Sequence, residues 1–477
     1  MKVISRISAI IIGVLFIALL IICSYSNEFD EGVGVTWKFG AANSTPDTPT
    51  HNFNVVPRVL PKDLPIIIWW TENLYPHLDK FDTLSCSSGS NCYVTPHQRY
   101  AHHPQTIGFY FYGTEFMPKN LPLPRLQKHI WALAHEESPL NNFALNHAVG
   151  MNLFNYTATY HRASDYPITT FSFPGEKFIL NRSPVSTSIK NEYQKNQGFA
   201  PLIYVQSHCE VPSDRDRYVE ELMQYIKVDS YGKCLHNKDL PLDLVAPVEN
   251  MFSSKFKDLI AKYKFVISFE NAICNDYMTE KLFRPLHVGA VPVYRGSPLA
   301  REFMPDNHSI IMTEDFESPK ALAEFLHQLN ENDEAYEKYL EFKKIQKIRN
   351  ENLRYHLDRR PWEYTEDDKN YGPFFEGFEC YVCDKAVEMY ENEKKRAQDP
   401  STPPIKPKYT DGRKFACPAP EPFKKPKELD WWFIYDYTEQ YWQGLDSARA
   451  VRDMLLANES DSSKYSQYLA KYSKRQN

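Results

Sequence analysis

The sequence has no surplus of positive charge. Its 477 residues include 55 Lys and Arg against 61 Asp and Glu, which gives a formal net charge of −6. Proteins that bind nucleic acid usually concentrate positive charge to neutralise phosphates, and their isoelectric points are high. The value here is about 6.2. The composition therefore gives no support for a nucleic-acid partner, and we predict none.

Two patterns that would indicate other classes of protein are also missing. No internal repeat is present, so a solenoid or propeller of repeated units is not indicated. Cys380 and Cys383 have the spacing of half a zinc site, but no second pair of Cys or His lies nearby to complete the four ligands. We therefore predict no zinc site.

The amino-terminal apolar run, Ile7–Cys23, is not directly followed by a cleavage site of small residues. It exceeds the apolar part of a usual signal peptide, and the positive charges before it favour a cytoplasmic amino terminus. We expect a cytoplasmic tail (1–6), a transmembrane signal anchor (7–23) and a polar, aperiodic stem (24–60) of a single-pass type II membrane protein. A cleaved signal peptide is the alternative.

The rest of the chain has features of a lumenal, oxidising compartment. Of nine cysteines, Cys23 lies in the apolar run, which leaves eight, an even number. Local loops are plausible within the pair Cys86 and Cys92 and within the pair Cys380 and Cys383, although spacing does not determine pairing. Five glycosylation sequons occur, the third weakened by a following Pro: Asn43, Asn155, Asn181, Asn307 and Asn458.

The stretch from Phe265 to Pro298 has the pattern of strand, helix and strand. A short, β-branched apolar run at Phe265–Phe269 predicts a buried strand, a helix follows from about Asp276 to His287, and Ala290–Tyr294 predicts a second strand. Such βαβ units bind their ligands outside the carboxyl ends of the parallel strands.

Polar side chains occupy the positions where this rule places a ligand. Glu270 and Asn271 directly follow the first strand. Lys and Arg can neutralise a diphosphate, while carboxylate and amide groups can hold sugar hydroxyls, so the pattern fits a nucleotide-sugar donor. A solvated charged helix face is the alternative. Four residues of the predicted helix have the spacing i, i+3, i+4 and i+7 of one face: Tyr277, Glu280, Lys281 and Arg284.

The segment FENAICNDYMTEKLFRPLHVGAVPVYRGSP resembles the donor-site signature of the α-1,3-fucosyltransferases, glycosyltransferase family 10, and most closely its divergent fucosyltransferase 10/11 subgroup. Ala272 and Met278 depart from the family pattern. The resemblance covers roughly residues 65–384. It implies an α/β protein of GT-B architecture, in which two Rossmann-like domains face a cleft. The implied parts are an acceptor domain (61–198), a GDP-fucose donor domain (199–365) and a carboxyl-terminal extension (366–477).

The same resemblance implies roles for residues outside the donor segment. Glu137, in HEESP, corresponds to the family's general base, with Glu136 as the neighbouring candidate and an exposed surface carboxylate as the alternative. Arg162, in LFNYTATYHRASD, is expected on the diphosphate unless it is a structural surface residue. Ser207, at a strand end, is a candidate donor contact.

The expected reaction is an inverting transfer of fucose from GDP-fucose, a co-substrate, without a required metal or cofactor. The acidic pair Asp214 and Asp216 is interpreted as helix-end chemistry rather than a metal site. The expected acceptor is GlcNAc of N-glycans in an α-1,3 linkage. The alternatives are Ser or Thr of secretory proteins, or a non-catalytic, lectin-like lumenal protein. We expect the protein in the Golgi or endoplasmic reticulum membrane, with the catalytic domain in the lumen.

The carboxyl-terminal extension contains two contrasting segments. Asn392 to about Leu429 is rich in Lys and Pro and predicts a mobile linker. The aromatic segment Trp431–Gln443 predicts a return to order, either docked on the body of the protein or bound to a partner.

Overall fold

The computed structural model describes residues 59–71, 77, 81–245, 250–362, 373–424 and 433–473. The predicted tail, signal anchor, nearly all of the stem and the sequon at Asn43 lie outside these residues. Among the helices of the described residues, none combines the length and apolar character needed to span a bilayer.

Two β-sheets with helices on their faces form the α/β core. The first is mixed, with the order β2-β3-β1-β4-β5-β6, and only β2 runs antiparallel to its neighbour. The second is parallel, with the order β11-β10-β9-β7-β8. The strands are β1 Ile66–Trp69, β2 Asp82–Ser85, β3 Asn91–Thr95, β4 Thr106–Tyr112, β5 Ile130–His135, β6 Tyr156–Thr159, β7 Leu202–Tyr204, β8 Val228–Ser230, β9 Phe265–Phe269, β10 Val291–Arg295 and β11 Ile311–Met312.

The central strands are buried on both faces, which explains their continuous apolar sequences. All residues of β1, β4 and β5 are buried, as expected for parallel strands covered by helices. The α-helices are α1 Ala148–Met151, α2 Glu176–Leu180, α3 Thr187–Gln197, α4 Arg215–Leu222, α5 Ser254–Ala261, α6 Glu280–Val288, α7 Pro319–Glu331, α8 Asp333–Lys338, α9 Glu341–Lys344, α10 Glu351–Arg359, α11 Pro373–Gln398, α12 Gln440–Leu456 and α13 Tyr465–Ser473.

The predicted βαβ unit is present, but its helix is shorter than expected. Strands β9 and β10 pair in parallel, and α6 begins at Glu280 rather than at about Asp276. Asp276 has a φ of 64°, which is incompatible with a right-handed helix, and Thr279 forms the N-cap by accepting a hydrogen bond from the Lys281 amide. The residues between β9 and α6 therefore form a loop, and Tyr277 lies in that loop and not on the helix face.

Four disulfides are present among the described residues, and three of them join segments more than 140 residues apart. Cys86 pairs with Cys380 and Cys92 with Cys383, so the local loops suggested by spacing do not form. Cys380 and Cys383 lie three residues apart on α11, where neighbouring Cβ atoms are about 5–6 Å apart, too far for the roughly 3.8 Å of a disulfide. Both point instead at the β2–β3 hairpin. The other pairs are Cys209–Cys234 and Cys274–Cys417.

Residues 399–424, which we call the strap, follow a defined path over both sheets. The Asn155 side chain donates to the Lys408 carbonyl at 2.6 Å, Cys417 is bonded to Cys274, and the Phe423 amide donates to Asp214 at 2.7 Å. The expected mobile linker is therefore wrong for this part of the extension. Its Pro-rich sequence has no periodicity of its own, and the order comes from hydrogen bonds and a disulfide to the body.

The aromatic segment docks on the body, as one of its two expected outcomes. A π-helical turn at Ile434–Glu439 continues into α12. Gly444 of α12 lies against the backbone of Phe143, where a Cβ atom would come within 2.5 Å. His147 Nε2 lies 2.7 Å from the Tyr441 carbonyl. The helix therefore packs on the residues that follow β5.

The sequons differ in exposure. Asn181, Asn307 and Asn458 are exposed. Asn155 is buried, and its amide oxygen accepts hydrogen bonds from the Trp131 amide at 2.7 Å and from Arg125 at 2.6 Å. Because its nitrogen also donates to the strap, the expectation of a glycan on Asn155 in the folded chain is wrong.

Candidate active site

The carboxyl ends of the two sheets bring together acidic residues from one and a cationic helix from the other. Glu136 and Glu137 directly follow β5, and Glu270 and Asn271 directly follow β9. The charges of Lys281 and Glu280, at the start of α6, act on Glu137. The predicted base therefore lies within electrostatic range of two predicted donor residues.

Glu137 is half-buried at this junction. Burial raises the pKa of its carboxyl group, the positive charge of Lys281 opposes this rise, and the negative charge of Glu280 adds to it. A carboxylate with a raised pKa is a better proton acceptor near neutral pH than an ordinary Glu. Its position and its proton affinity both suit a general base.

Glu136 is in a different environment. It is 5% exposed, and its Oε1 accepts a hydrogen bond from the Tyr112 hydroxyl at 3.0 Å. Its Oε2 is buried and has no hydrogen-bond partner among the described residues. Burial, together with the charge of Glu137, raises the pKa of Glu136 to about 8. Glu136 is therefore mostly protonated at neutral pH, which favours Glu137 over Glu136 as the base.

Glu270 fixes the loop between β9 and α6. It is fully buried, and its two oxygens accept hydrogen bonds from the amide and the hydroxyl of Thr279, each at 2.8 Å. Burial raises its pKa, and Lys281, whose Nζ lies 3.8 Å away, opposes the rise. Glu270 therefore orients the start of α6, and both of its oxygens are already engaged.

Three of the four residues predicted on one helix face do form a cluster. Lys281 Nζ lies 3.2 Å from the Glu280 carboxylate, and Arg284 Nη2 lies 3.9 Å from it. Burial alone would raise the pKa of Glu280, but Lys281 and Arg284 outweigh burial and lower it to about 2. Glu280 is therefore ionised at all physiological pH values, and it pairs with the two cations of α6.

Tyr277 and Arg162 connect the two halves of the site. The Tyr277 ring is buried and packs edge-to-face on Tyr160, which follows β6, at 5.2 Å between centroids. Arg162 forms an ion pair with buried Asp276 at 2.6 Å and a second with Glu302 at 2.6 Å. Arg162 therefore links the segment after β6 of the first sheet to the second sheet. Because two carboxylates compensate its charge, it does not present a free cation to a diphosphate.

The remaining predicted donor contacts differ in exposure, since Asn271 is half-buried and Ser207 is exposed. The Asn271 side-chain oxygen is buried and lacks a hydrogen-bond partner within the described ranges, so it can receive a ligand hydroxyl or amino group. Ser207 lies three residues beyond the end of β7, and its side chain is exposed.

Sequence reasoning missed Arg295 and Tyr218, which lie at the same edge of the second sheet as Asn271. Arg295 ends β10, and its guanidinium lies 5.5 Å from the centre of the Tyr218 ring. The Arg295 Nε atom and the Tyr218 hydroxyl are both buried without a hydrogen-bond partner in the described part of the chain. The rule that ligands bind at strand ends could have identified Arg295, because it directly follows the run VPVY.

One grouping within the described ranges has metal-like spacing: Cys209, Asp216 and Cys234. The two cysteines are already joined as a disulfide, so they cannot act as thiolate ligands. Asp216 accepts hydrogen bonds from the Tyr204 hydroxyl at 2.7 Å and the Glu210 amide at 3.0 Å. These residues are structural.

Comparisons with known proteins show which family models, relatives and solved structures this chain is similar to. Residues 194–395 match the family model described as glycosyltransferase family 10 (fucosyltransferase) C-term, and residues 62–170 match that described as fucosyltransferase, N-terminal. Similar proteins include GDP-fucose protein O-fucosyltransferase 3 of Canis lupus familiaris, 43% identical over 75% of this chain and 72% of that protein, and of Danio rerio, 41% identical over 83% of each. A crystal structure of α1,3-fucosyltransferase with GDP-fucose is 16% identical, with a TM-score of 0.37 over 66% of this chain and 95% of that one.

Proposed function

This chain belongs to glycosyltransferase family 10, the fucosyltransferases, and we propose from this that it transfers fucose from GDP-fucose to a Ser or Thr hydroxyl of a protein. The observation that carries the proposal is the junction of the two sheets, where the Tyr160 and Tyr277 rings pack and the charges of Lys281 and Glu280 act on Glu137. The names of the similar proteins favour a protein acceptor over the expected GlcNAc of N-glycans.

In this reaction Glu137 takes the proton from the acceptor hydroxyl. The hydroxyl oxygen forms a bond to the anomeric carbon of fucose from the side opposite the diphosphate. The bond between that carbon and the diphosphate oxygen breaks, and its electron pair leaves with GDP, so the configuration inverts. General base catalysis of this kind contributes about 10²–10⁴-fold to the rate.

The cations of α6 stabilise the departing diphosphate. Lys281 and Arg284 supply two positive charges beside the Glu280 carboxylate, which stays ionised because its pKa is about 2. Such fixed charges stabilise the charge that develops on a leaving group. This arrangement supports a reaction without a required metal, which we include in the proposal.

We also infer a GT-B arrangement, in which residues 61–198 bind the acceptor and residues 199–365 bind GDP-fucose. Support comes from the strands, since those of the first sheet lie between residues 66 and 159 and those of the second between residues 202 and 312. The four disulfides support an oxidising compartment such as the lumen of the Golgi apparatus or endoplasmic reticulum.

The test uses purified protein, labelled GDP-fucose and secreted proteins from cells that lack this enzyme. Label that survives peptide N-glycanase and remains on peptides supports transfer to protein. Label released by that enzyme supports transfer to N-glycans instead. Binding of GDP-fucose without any transfer supports the lectin-like alternative. Glu137→Gln should slow transfer by about 10²–10⁴-fold while GDP binding persists.

A further inference from the structure

The carboxyl-terminal extension contributes an exposed surface beside the active site. The family matches end at residue 395, so α12 and the turn before it lie outside both. The exposed residues of the turn and of the first part of α12 form one face, which we call the tail ridge: Tyr435, Asp436, Glu439, Trp442 and Gln443. Trp442 is 48% exposed and Tyr435 is 63% exposed. The two residues are seven positions apart in the sequence, which corresponds to about 10 Å along a helix.

Buried contacts connect this ridge to the catalytic residues. Tyr441, next to Trp442, donates a hydrogen bond to the Cys417 carbonyl at 2.8 Å. Cys417 is bonded to Cys274, which lies in the loop between β9 and α6. The Tyr277 ring belongs to the same buried cluster as Tyr441 and is affected by the charge of Glu137.

The helix that carries the ridge also contacts both halves of the protein. On one side it packs on Phe143 and His147, in the segment that follows Glu137. On the other, the Tyr437 hydroxyl donates to the carbonyl of Glu210, which lies between β7 and α4 of the second sheet. The ridge therefore lies at the rim of the region where the two sheets meet, where an acceptor has to approach.

The composition of the ridge indicates the chemistry of its partner. Trp and Tyr are enriched at the energetic centres of protein–protein interfaces. Asp436 and Glu439 lie between the two aromatic residues and form no ion pair with any described residue. A folded protein whose surface offers basic side chains around an apolar contact would satisfy both features.

We propose that the tail ridge binds the protein acceptor, through contacts of Trp442 and Tyr435 with its apolar surface and of Asp436 and Glu439 with its basic residues. This inference rests on the proposed function, because it supplies the acceptor-binding surface for transfer to protein. The ridge is too small to be a complete interface of about 800 Å² per partner, so it acts as the anchor of a larger one.

The test measures fucose transfer by the full chain to native secreted proteins from cells lacking the enzyme, counted as label on peptides after peptide N-glycanase. Trp442→Ala should reduce transfer at limiting acceptor concentration at least tenfold, and a higher concentration should restore it, because KM rises and kcat does not change. Leu456→Ala, at the end of the same helix and 78% exposed, is the matched control and should transfer like the parent protein. GDP affinity, measured by calorimetry, reports on folding of the donor site.

A second pair of variants tests the charge of the ridge. Asp436→Asn with Glu439→Gln should weaken transfer at low salt and reduce its salt dependence, while Glu331→Gln, an exposed residue at the end of α7, should do neither. Parental transfer by the Trp442 and charge variants would overturn the proposal. The proposal would also be overturned if the Trp442 variant lost GDP affinity by the same factor as transfer. It would likewise be overturned if transfer to reduced and alkylated acceptor proteins fell by the same factor as transfer to native ones. If the parent protein itself leaves no label on peptides, the proposed function fails, and not the ridge alone.

Discussion

Replacing each of two adjacent glutamates by glutamine should give opposite results. Glu136→Gln keeps a neutral side chain of the same size where the native carboxyl group is already mostly protonated. We expect it to retain activity within about threefold at pH 6.5. Glu137→Gln removes the proton acceptor, so we expect a loss of about 10²–10⁴-fold in kcat. Initial rates of fucose transfer at saturating GDP-fucose measure both.

The magnitude for Glu136 follows from its burial. Its pKa rises from the ordinary value of 4.5 to about 8. At about 1.4 kcal/mol per pKa unit, ionising this group in the folded protein costs roughly 5 kcal/mol more than in water. The folded state therefore keeps a proton that the unfolded state releases above pH 4.5. Stability should fall as the pH rises from about 4.5 to 8, with a slope of up to about 1.4 kcal/mol per pH unit.

Thermal unfolding as a function of pH tests this second consequence. The Tm of the parent protein should fall between pH 5 and pH 8. Glu136→Gln should make Tm depend less on pH in this range, because glutamine does not titrate. The reasoning would be refuted if Glu136→Gln were as inactive as Glu137→Gln, which would make Glu136 the base. It would also be refuted if the pH dependence of Tm were the same in the parent protein and the Glu136 variant.

Three further predictions concern other parts of the site. Lys281→Met should weaken GDP binding about tenfold or more in calorimetry, since it removes a cation from α6; unchanged affinity would contradict its role on the diphosphate. Arg162→Met should destabilise the protein by up to about 3–5 kcal/mol, because it removes the guanidinium from the buried Asp276 carboxylate and leaves only the residue-162 amide and the more distant His161 ring beside it, while GDP affinity stays within a few-fold. A large loss of affinity at parental Tm would restore Arg162 as a diphosphate ligand. Asn155→Gln should leave the glycosidase-sensitive gel shift unchanged, whereas Asn181→Gln should reduce it; a change with Asn155→Gln would show that this buried residue carries a glycan.

Local sequence patterns were sufficient for two strands of the site, β9 and β10, and for the polar residues that follow β9. The apolar runs at Phe265–Phe269 and Ala290–Tyr294 correspond to β9 and β10, because strands buried on both faces are continuously apolar. The positions of Glu270 and Asn271 follow from the rule that ligands bind at the carboxyl ends of parallel strands, whereas Glu137 was identified only through the family resemblance. The start of α6 could not be read in this way, because a positive φ at Asp276 interrupts a sequence with helical spacing.

Long-range pairing was beyond sequence reasoning. The partner of Arg162 is Asp276, which is 114 residues away, and Cys274 pairs with Cys417 across 143 residues. Nothing in the local pattern of either residue identifies its partner. For the same reason the strap was predicted to be a mobile linker, since its order depends on groups that belong to both sheets.

The sequence by itself determined the family and, through the family, the α/β class, and it placed polar side chains after an apolar strand, because motifs and apolar runs are properties of short segments. The tertiary structure alone decided which charges neutralise one another, which glutamate is kept protonated by burial and which residues of the extension line the rim of the site. Burial and ion pairing depend on distances between segments that are far apart in the chain, and these distances exist only after the sheets and the extension have packed together.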